Sequence, residues 1–444
     1  MISCDGLTGT VILPDNPGYT EARLMWNRAI EKFPGAIVFC ETVCDVSNAV
    51  KWARCNCIPF RIRNGRHNYE GFSTGDGVLV IDVSRFTDVD MDESYVAAQG
   101  GVNNSMIYNL TAPKEYPFPG GSCPTVGVAG YAMSGGSGPM SRFLGLGCDS
   151  LEAVELINAE GQLITASKDK NPGLFWALRG AGDGNFGVAV RTVFRLPKKV
   201  ESVTLVILYY PNTDAAAQVR FINTWQQWLK KSDERITLQA PVYHDQEEGY
   251  AVFARGIYFG SRQQAIEAVA MLSELPGCEA TFEEMTFYQA IKTIEDDIPE
   301  SQKFKSSGRF VGRPLTVAEI GNMVDRMRNY PEGSVFTGLT LYALGGKVMN
   351  TAPQESAFYY RYSLYIVGLQ SIWTEDAYAE LNKRWVQNNL DYINRVTAGS
   401  YVNFPNSDLY DYEYAYWGDN VPGLRRVKQM YDPYNVFRFP QSIR

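Results

Sequence analysis

The first third of the chain alternates short apolar runs with a helical pattern. Apolar residues at 46, 49, 50 and 53 have helical spacing and predict a helix over residues 45–53. Alternating polarity or continuous apolar runs predict strands at residues 58–63, 77–83, 95–101, 153–158, 163–165 and 188–196. We therefore expect a first unit of short strands and helices.

The pattern changes after Pro197, where longer elements begin. Residues 213–231 place Phe221, Ile222, Trp225, Trp228 and Leu229 on one face of an amphipathic helix. The pattern predicts further helices at residues 262–275, 317–329 and 376–397, and strands at residues 203–210, 237–243, 250–259 and 334–344. Residues 200–400 thus predict a second α+β unit, whose antiparallel sheet presents one face to a ligand.

Composition restricts the class of protein. A chain of 444 residues with 45% hydrophobic and 20% charged residues fits two globular domains. Its net charge of −8 disfavours nucleic acid and anionic membranes as partners. The sequence has no apolar run long enough for a membrane helix and no secretory signal pattern, which predicts a soluble, cytoplasmic protein. Two histidines and eight irregularly spaced cysteines predict no metal centre and reduced thiols.

Two glycine-rich segments predict close approach of the backbone to a ligand. Residues 117–147 are dense in glycine and proline and give the strongest loop pattern. Residues 180–187 resemble a dinucleotide fingerprint, but a helical pattern precedes them and a strand follows, the reverse of the Rossmann order. This second segment is either a tight connection or a loop whose N–H groups hold a phosphate.

Two nucleophilic side chains lie in glycine-containing loops. His67 follows a predicted strand, and the neighbouring Arg63 and Arg66 can lower its basicity or pair with phosphate. Cys123 lies among glycines that leave room for a large electrophile. Considered alone, His67 is most simply interpreted as an incidental loop histidine, and Cys123 as an inert buried thiol.

Together these loops resemble a known family. The family motif R-x-G-G-H-x-Y-E-G is matched by Arg63, Gly65, His67, Tyr69, Glu70 and Gly71. The motif around the cysteine is matched by Gly121, Cys123, Pro124, Thr125, Val126, Gly127, Val128, Gly130, Gly135, Gly136 and Gly138. Arg66 and Tyr131 replace a usual glycine and histidine, and residues 174–188, 401–404, 416–420 and 428–443 extend the likeness. The chain resembles the berberine bridge enzyme-like flavin oxidases of the p-cresol methylhydroxylase and vanillyl-alcohol oxidase fold.

The resemblance implies an α+β fold with a two-part FAD-binding domain (PCMH-type), formed by residues 1–199 and 401–444. Residues 200–400 would be an inserted substrate-binding domain with an antiparallel sheet covered by helices. It also implies FAD attached twice, through His67 to the C8 methyl group and through Cys123 to C6. The other cofactor-binding residues it implies are Arg63, Asn64, Gly65, Arg66, Asn68, Tyr69, Gly121, Val126, Gly127, Gly130, Gly135, Asn185, Gly187, Val188 and Asn403.

The implied chemistry is hydride transfer from a hydroxylated small molecule, either an oligosaccharide or a secondary metabolite. Tyr401 and Tyr131 are the candidate bases, although an ordinary tyrosine pKa of about 10 requires help from neighbours. Val126 occupies the position of the family's oxygen gate, which implies molecular oxygen as acceptor and hydrogen peroxide as product. The candidate substrate wall comprises Tyr243, Tyr342, Tyr359, Tyr360, Tyr362 and Trp373. The alternatives are an FAD dehydrogenase with another acceptor and a non-catalytic relative that retains flavin; the oligomeric state stays open.

Overall fold

Three β-sheets form the framework of residues 4–444, the part of the chain that the computed structural model describes. Their strands are β1 Thr10–Ile12, β2 Ala36–Phe39, β3 Phe60–Arg63, β4 Leu79–Asp82, β5 Val89–Met91, β6 Tyr95–Gln99, β7 Leu151–Ile157, β8 Leu163–Ser167, β9 Val188–Arg195, β10 Val203–Tyr210, β11 Ile236–Asp245, β12 Gly249–Tyr258, β13 Glu279–Met285, β14 Lys303–Val311, β15 Ser334–Ala343 and β16 Tyr365–Trp373. The combination of these sheets with helices confirms the predicted α+β class.

Helices connect and cover the sheets. They are α1 Tyr19–Arg23, α2 Val43–Cys55, α3 Asn104–Thr111, α4 Val128–Met133, α5 Ser141–Leu144, α6 Pro172–Ala177, α7 Ala215–Leu229, α8 Arg262–Ser273, α9 Phe287–Asp296, α10 Val317–Arg328, α11 Ala379–Val396, α12 Tyr412–Trp417 and α13 Val421–Tyr431. Within residues 4–444, none of the helices has both the length and the apolar character that crossing a bilayer requires.

The first sheet brings His67 to one of its edges. Its strand order is β1-β2-β4-β3, and β2, β3 and β4 run parallel, so β3 and β4 end at the same edge. Arg63 and Asp82 occupy those two ends and form a fully buried ion pair of 2.6 Å between Nε and Oδ2. Because this pair ties the strand ends together, the loop that follows β3 leaves the sheet from a fixed point.

The second sheet, ordered β5-β6-β9-β7-β8, is antiparallel and supports both glycine-rich segments. The segment 180–187 connects α6 to β9, which confirms the helix-before-strand order predicted from the sequence. The segment 117–147 is not wholly loop, since it contains the short helices α4 and α5. The glycine count concealed α4, whose apolar residues Val128, Ala129, Ala132 and Met133 are buried in the core.

The third sheet has seven antiparallel strands in the order β13-β10-β12-β11-β15-β16-β14. On one face, alternate residues such as Leu238, Leu341 and Val367 pack with residues of α7, α10 and α11 in one apolar core. The opposite face turns toward the glycine-rich loops. The sequence patterns missed β13, β14, β16 and α9. The strands of this sheet lie between residues 203 and 373, and 200–400 remains our proposed extent of the unit.

Candidate functional site

One cavity of about 470 Å³ lies where the three sheets and the segment 401–405 meet. Its walls bring together loops that are far apart in the sequence. The predicted site residues that line it are Asn64, Gly65, Arg66, His67, Asn68, Tyr69, Gly121, Cys123, Val126, Gly127, Gly130, Tyr131, Asn185, Tyr401 and Asn403.

Four predicted cofactor-binding residues lie behind this lining. Arg63 donates from Nε to Asp82 and from Nη2 to the Ala22 carbonyl at 2.8 Å, so its guanidinium serves the framework. Val188 is fully buried in the core beneath the first sheet. Gly135 packs on the ring of Phe358, and Gly187 packs on Leu156. These four residues shape the loops that line the cavity and do not themselves face it.

His67 is held as a neutral imidazole with one nitrogen engaged. Its Nε2 lies 2.7 Å from Thr125 Oγ1, and its ring stacks on Trp26 with centroids 5.2 Å apart. Burial lowers the pKa of His67 to about 4, so the ring is uncharged at neutral pH. The contact with Thr125 leaves Nδ1 as the nitrogen available for a further bond.

Cys123 lies on the neighbouring loop in its thiol form. Burial raises the pKa of Cys123 to about 11, and Asn104 fixes the loop by donating to the Cys123 carbonyl at 2.9 Å. The two loops are in close contact, because a Cβ on Gly65 would lie 2.4 Å from the Thr125 carbonyl oxygen. Only glycine permits this approach, which brings His67 and Cys123 to the same cavity.

A run of unpaired backbone N–H groups surrounds His67. Within the described chain, the backbone N–H groups of residues 65–68 donate to no acceptor. Arg66 adopts a left-handed backbone conformation with φ of 65°, which explains why glycine is usual at this position. Successive free N–H groups around a left-handed residue form an anion-binding nest. Arg66 belongs to this nest, and Arg61 and Arg438 line the same cavity, so the nest fits the diphosphate of a dinucleotide.

The hydroxyl oxygen of Tyr401 accepts three N–H groups. The backbone N–H of Ser137 donates at 2.9 Å, that of Gly136 at 3.2 Å, and Asn403 Nδ2 at 3.1 Å. Three donors stabilise the phenolate relative to the phenol, whereas burial works against ionisation and raises the pKa of Tyr401 to about 12. The arrangement therefore favours a tyrosine that can hold negative charge transiently.

Tyr131 has a different environment. Its ring packs against Gly121, Gly136 and Gly147, and its hydroxyl has no hydrogen-bond partner within residues 4–444. Burial raises its pKa well above the ordinary value, and no donor counteracts that effect. Of the two candidate bases, Tyr401 is the one whose hydroxyl has hydrogen-bond donors within residues 4–444.

The third sheet supplies an uncharged wall. Gln239 and Tyr342 are direct partners on β11 and β15, and Gln370 lies on β16, all facing the cavity. On β14, Phe304 faces the cavity, and the absence of a side chain at Gly308 admits the Phe404 ring, since a Cβ there would lie 2.6 Å from it.

Tyr342 is the member of the predicted aromatic wall that lines the cavity. Tyr243 instead donates to Glu248 at 2.6 Å, and Trp373 is buried. The other predicted members, which also lie outside the lining, are Tyr359, Tyr360 and Tyr362. Four further lining residues were not predicted from the sequence: Trp26, Asp183, Gln239 and Gln370. A polar glutamine within the apolar run of β11 was the available signal for Gln239.

Two sequence profiles of known protein families match regions of this chain that line the cavity. A sequence profile described as "FAD binding domain" matches residues 34–167, which contain both His67 and Cys123. A second, described as "Berberine and berberine like", matches residues 400–444, which contain Tyr401 and Asn403. The cavity is therefore built from both matched regions.

Similarity to known relatives covers nearly the whole chain. An uncharacterized FAD-linked oxidoreductase, YgaK of Bacillus subtilis (strain 168), is 33% identical, with 98% of this chain and 97% of the relative covered. The structure of BBE-like 1 from Physcomitrella patens has a TM-score of 0.91 and 28% identity, covering 99% of this chain and 97% of that chain. The glucooligosaccharide oxidase of Acremonium strictum, which is described with 6-S-cysteinyl, 8α-N1-histidyl FAD, shares the fold with a TM-score of 0.89 and 20% identity, covering 98% of this chain and 96% of that chain. The chain belongs to the berberine bridge enzyme-like family and is an FAD-dependent oxidoreductase.

Proposed function

We propose that this protein is an oxidase that carries FAD bound through both His67 and Cys123 and oxidises an uncharged, hydroxylated small molecule. The observation that carries this proposal is the meeting of an imidazole, a thiol and a three-donor tyrosine at one cavity. A passive flavin-binding relative would need neither nucleophile.

The two side chains suit double attachment for different reasons. His67 is neutral, so its Nδ1 lone pair is available as a nucleophile. Cys123 is a thiol at neutral pH and would react through its small thiolate fraction. Each attachment would replace one C–H bond of the flavin, releasing a proton and leaving two electrons on the flavin, which molecular oxygen, the proposed acceptor, would take up. The 8α-N1-histidyl and 6-S-cysteinyl linkages named for the glucooligosaccharide oxidase pair the same two residue types, which supports the assignment.

Tyr401 is the proposed base. FAD, when bound, supplies the hydride acceptor and passes the electrons on to a terminal acceptor. Tyr401 takes the proton of the substrate hydroxyl as the adjacent carbon loses hydride. The N–H groups of Gly136, Ser137 and Asn403 hold the phenol oxygen and stabilise the charge it carries before the transfer.

The uncharged wall selects the substrate class. Gln239 and Gln370 offer amide donors and acceptors, and Tyr342 and Phe304 offer aromatic surface. Within the described chain, no residue that the third sheet contributes to the cavity is ionisable at neutral pH. This combination favours a neutral saccharide, with a hydroxylated secondary metabolite as the second candidate.

Molecular oxygen is the proposed electron acceptor. Val126 lines the cavity, and in this family a valine at the corresponding position goes with oxidases and a bulkier residue with dehydrogenases. Hydrogen peroxide would be the product. An FAD dehydrogenase is the alternative, and Val126→Leu should move the enzyme toward it by slowing reoxidation in air without slowing reduction by substrate.

Acid precipitation tests the covalent part of the proposal. The yellow colour should stay with the pellet of the wild-type protein and of either single variant, His67→Ala or Cys123→Ala. In the double variant, the flavin should pass to the supernatant. Peptide mass spectrometry that finds both residues unmodified in active protein would refute the attachment.

The oxidase part has a separate test. The protein is mixed anaerobically with a panel of neutral and charged saccharides, and bleaching of the flavin absorbance identifies a substrate. Air should then restore the absorbance and produce peroxide in equal amount. Slow recovery in air, together with fast recovery on addition of a quinone, would identify a dehydrogenase instead.

A further inference from the structure

Asp183 is the one acidic residue among the described residues that line the cavity. The other ionic groups there, Arg61, Arg66 and Arg438, are cations. Asp183 Oδ1 accepts the backbone N–H of Gly184 at 2.7 Å, and within residues 4–444 its carboxylate has no ion-pair partner within 4.0 Å. A desolvated carboxylate with one hydrogen bond is costly unless a ligand supplies further donors.

The position of Asp183 is fixed by its surroundings. The residue lies in the α6–β9 connection, opposite α4, where a Cβ on Gly130 would be 3.5 Å from Asp183 Oδ2. Two residues further on, Asn185 donates to the Ala181 carbonyl at 3.2 Å and accepts Lys428 Nζ at its own carbonyl at 2.8 Å. A loop held at several points presents the carboxylate to the cavity in one orientation.

The chemistry of FAD leaves few partners for such a group. A carboxylate repels the diphosphate, which the N–H groups of the nest at residues 65–68 suit better. Hydroxyl groups, in contrast, donate short and strong hydrogen bonds to a carboxylate. FAD carries hydroxyl groups on the ribityl chain and on the adenosine ribose.

We infer that Asp183 binds the cofactor by accepting hydrogen bonds from its polyol hydroxyl groups. The ribityl chain and the ribose share this chemistry, and the experiment distinguishes them. The raised pKa of Asp183, about 6 because of burial, agrees with a carboxylate that lacks donors before the cofactor binds. The inference rests on FAD binding, not on the proposed oxidase reaction.

Binding of flavin fragments tests the inference without turnover. The His67→Ala/Cys123→Ala protein, prepared without flavin from a riboflavin-starved host, is titrated with lumiflavin, which lacks the polyol, with riboflavin, and with FAD, following flavin fluorescence. Asp183→Leu should weaken riboflavin and FAD by about tenfold or more and leave lumiflavin unchanged if the ribityl chain is the partner. Loss confined to FAD would identify the ribose. Asp169→Asn, at an exposed position, is the control and should change none of the three.

An equal loss for all three ligands, or no loss for any, would overturn the inference. Thermal unfolding of the single variant Asp183→Asn gives a second measurement that does not depend on the double variant. The isosteric amide should lower the Tm of the covalent holoprotein, where hydroxyl groups face it, and should not lower that of flavin-free protein from a riboflavin-starved host. A Tm that falls equally in both forms would show that Asp183 is only structural.

Discussion

Removing one donor from Tyr401 measures what the three-donor site contributes. Asn403→Ala deletes the 3.1 Å hydrogen bond to the phenol oxygen and leaves those from Gly136 and Ser137. A hydrogen bond to a charged group contributes about 1.5–3 kcal/mol. At about 1.4 kcal/mol per pKa unit, the pKa of Tyr401 should rise by about 1–2 units above its wild-type value.

The assay is single-turnover, anaerobic reduction of the flavin by the substrate found in the panel, followed across pH. Below the pKa of Tyr401 the ionised fraction changes about tenfold per pH unit, so the rate should rise with pH in both proteins. The Asn403→Ala rate should lie about 10- to 100-fold below wild type, on a line parallel to it. Tyr401→Phe should lose the pH-dependent rise itself.

Tyr131→Phe is the matched control, because the hydroxyl it removes has no partner within residues 4–444. Its rate and pH dependence should equal those of the wild type. If Asn403→Ala reduces the rate without any displacement along the pH axis, the three donors do not act through the ionisation of Tyr401. If Tyr131→Phe has the larger effect, the base is Tyr131.

Three further predictions concern packing, burial and thiol chemistry. Gly308→Ala should lower the free energy of unfolding in urea by about 1–3 kcal/mol, because the added methyl group collides with the Phe404 ring, whereas Gly312→Ala, whose nearest neighbour is 3.9 Å away, should be neutral. Equal effects of the two variants would contradict the packing argument. Lys428→Met breaks a buried ion pair and should lower the free energy of unfolding by about 3–5 kcal/mol in the same assay, whereas Lys383→Met, in an exposed pair, should lower it by less than about 1 kcal/mol. A similarly small loss for Lys428→Met would contradict the importance of the buried pair. In the His67→Ala variant, the rate at which added FAD attaches to Cys123, measured by intact mass spectrometry, should increase as the pH approaches the thiol pKa of about 11. A rate that does not change with pH would contradict attack by the thiolate.

Local sequence patterns predicted an element correctly where the hydrophobic spacing of that segment alone determines its structure. The helical spacing around Val46 and the amphipathic face around Trp225 predicted α2 and α7, and both contribute to buried cores. The Glu-rich strand β13 was missed because most of its side chains are exposed, and only its pairing with β10 makes it a strand. Strand β13 is therefore fixed by tertiary structure, not by its own residues.

The site also contains residues that local motifs predicted and residues that only the tertiary structure brings together. His67 and Cys123 belong to short motifs, and the structure brings both to one cavity. Gln239 lies on β11 and Gln370 on β16, and only the sheet order, which places these strands on either side of β15, brings the two residues to one wall. The prediction of Tyr243 and Trp373 as wall residues was based on their aromatic type, and neither lines the cavity. The type of a side chain does not reveal its position along a strand or the face of the sheet that it occupies.

The anchoring of Asn185 has a consequence for the order of folding and flavin binding. Lys428 Nζ also donates to the Phe437 carbonyl, and the Ile443 backbone N–H donates to Asn185 Oδ1 at 2.9 Å, so one wall of the cavity depends on residues 428–443. A chain in which residues 428–443 have not yet packed against the segment 180–187 lacks that wall. Flavin should therefore bind after this packing has formed, and protein expressed under riboflavin starvation should fold and still accept FAD that is added afterwards.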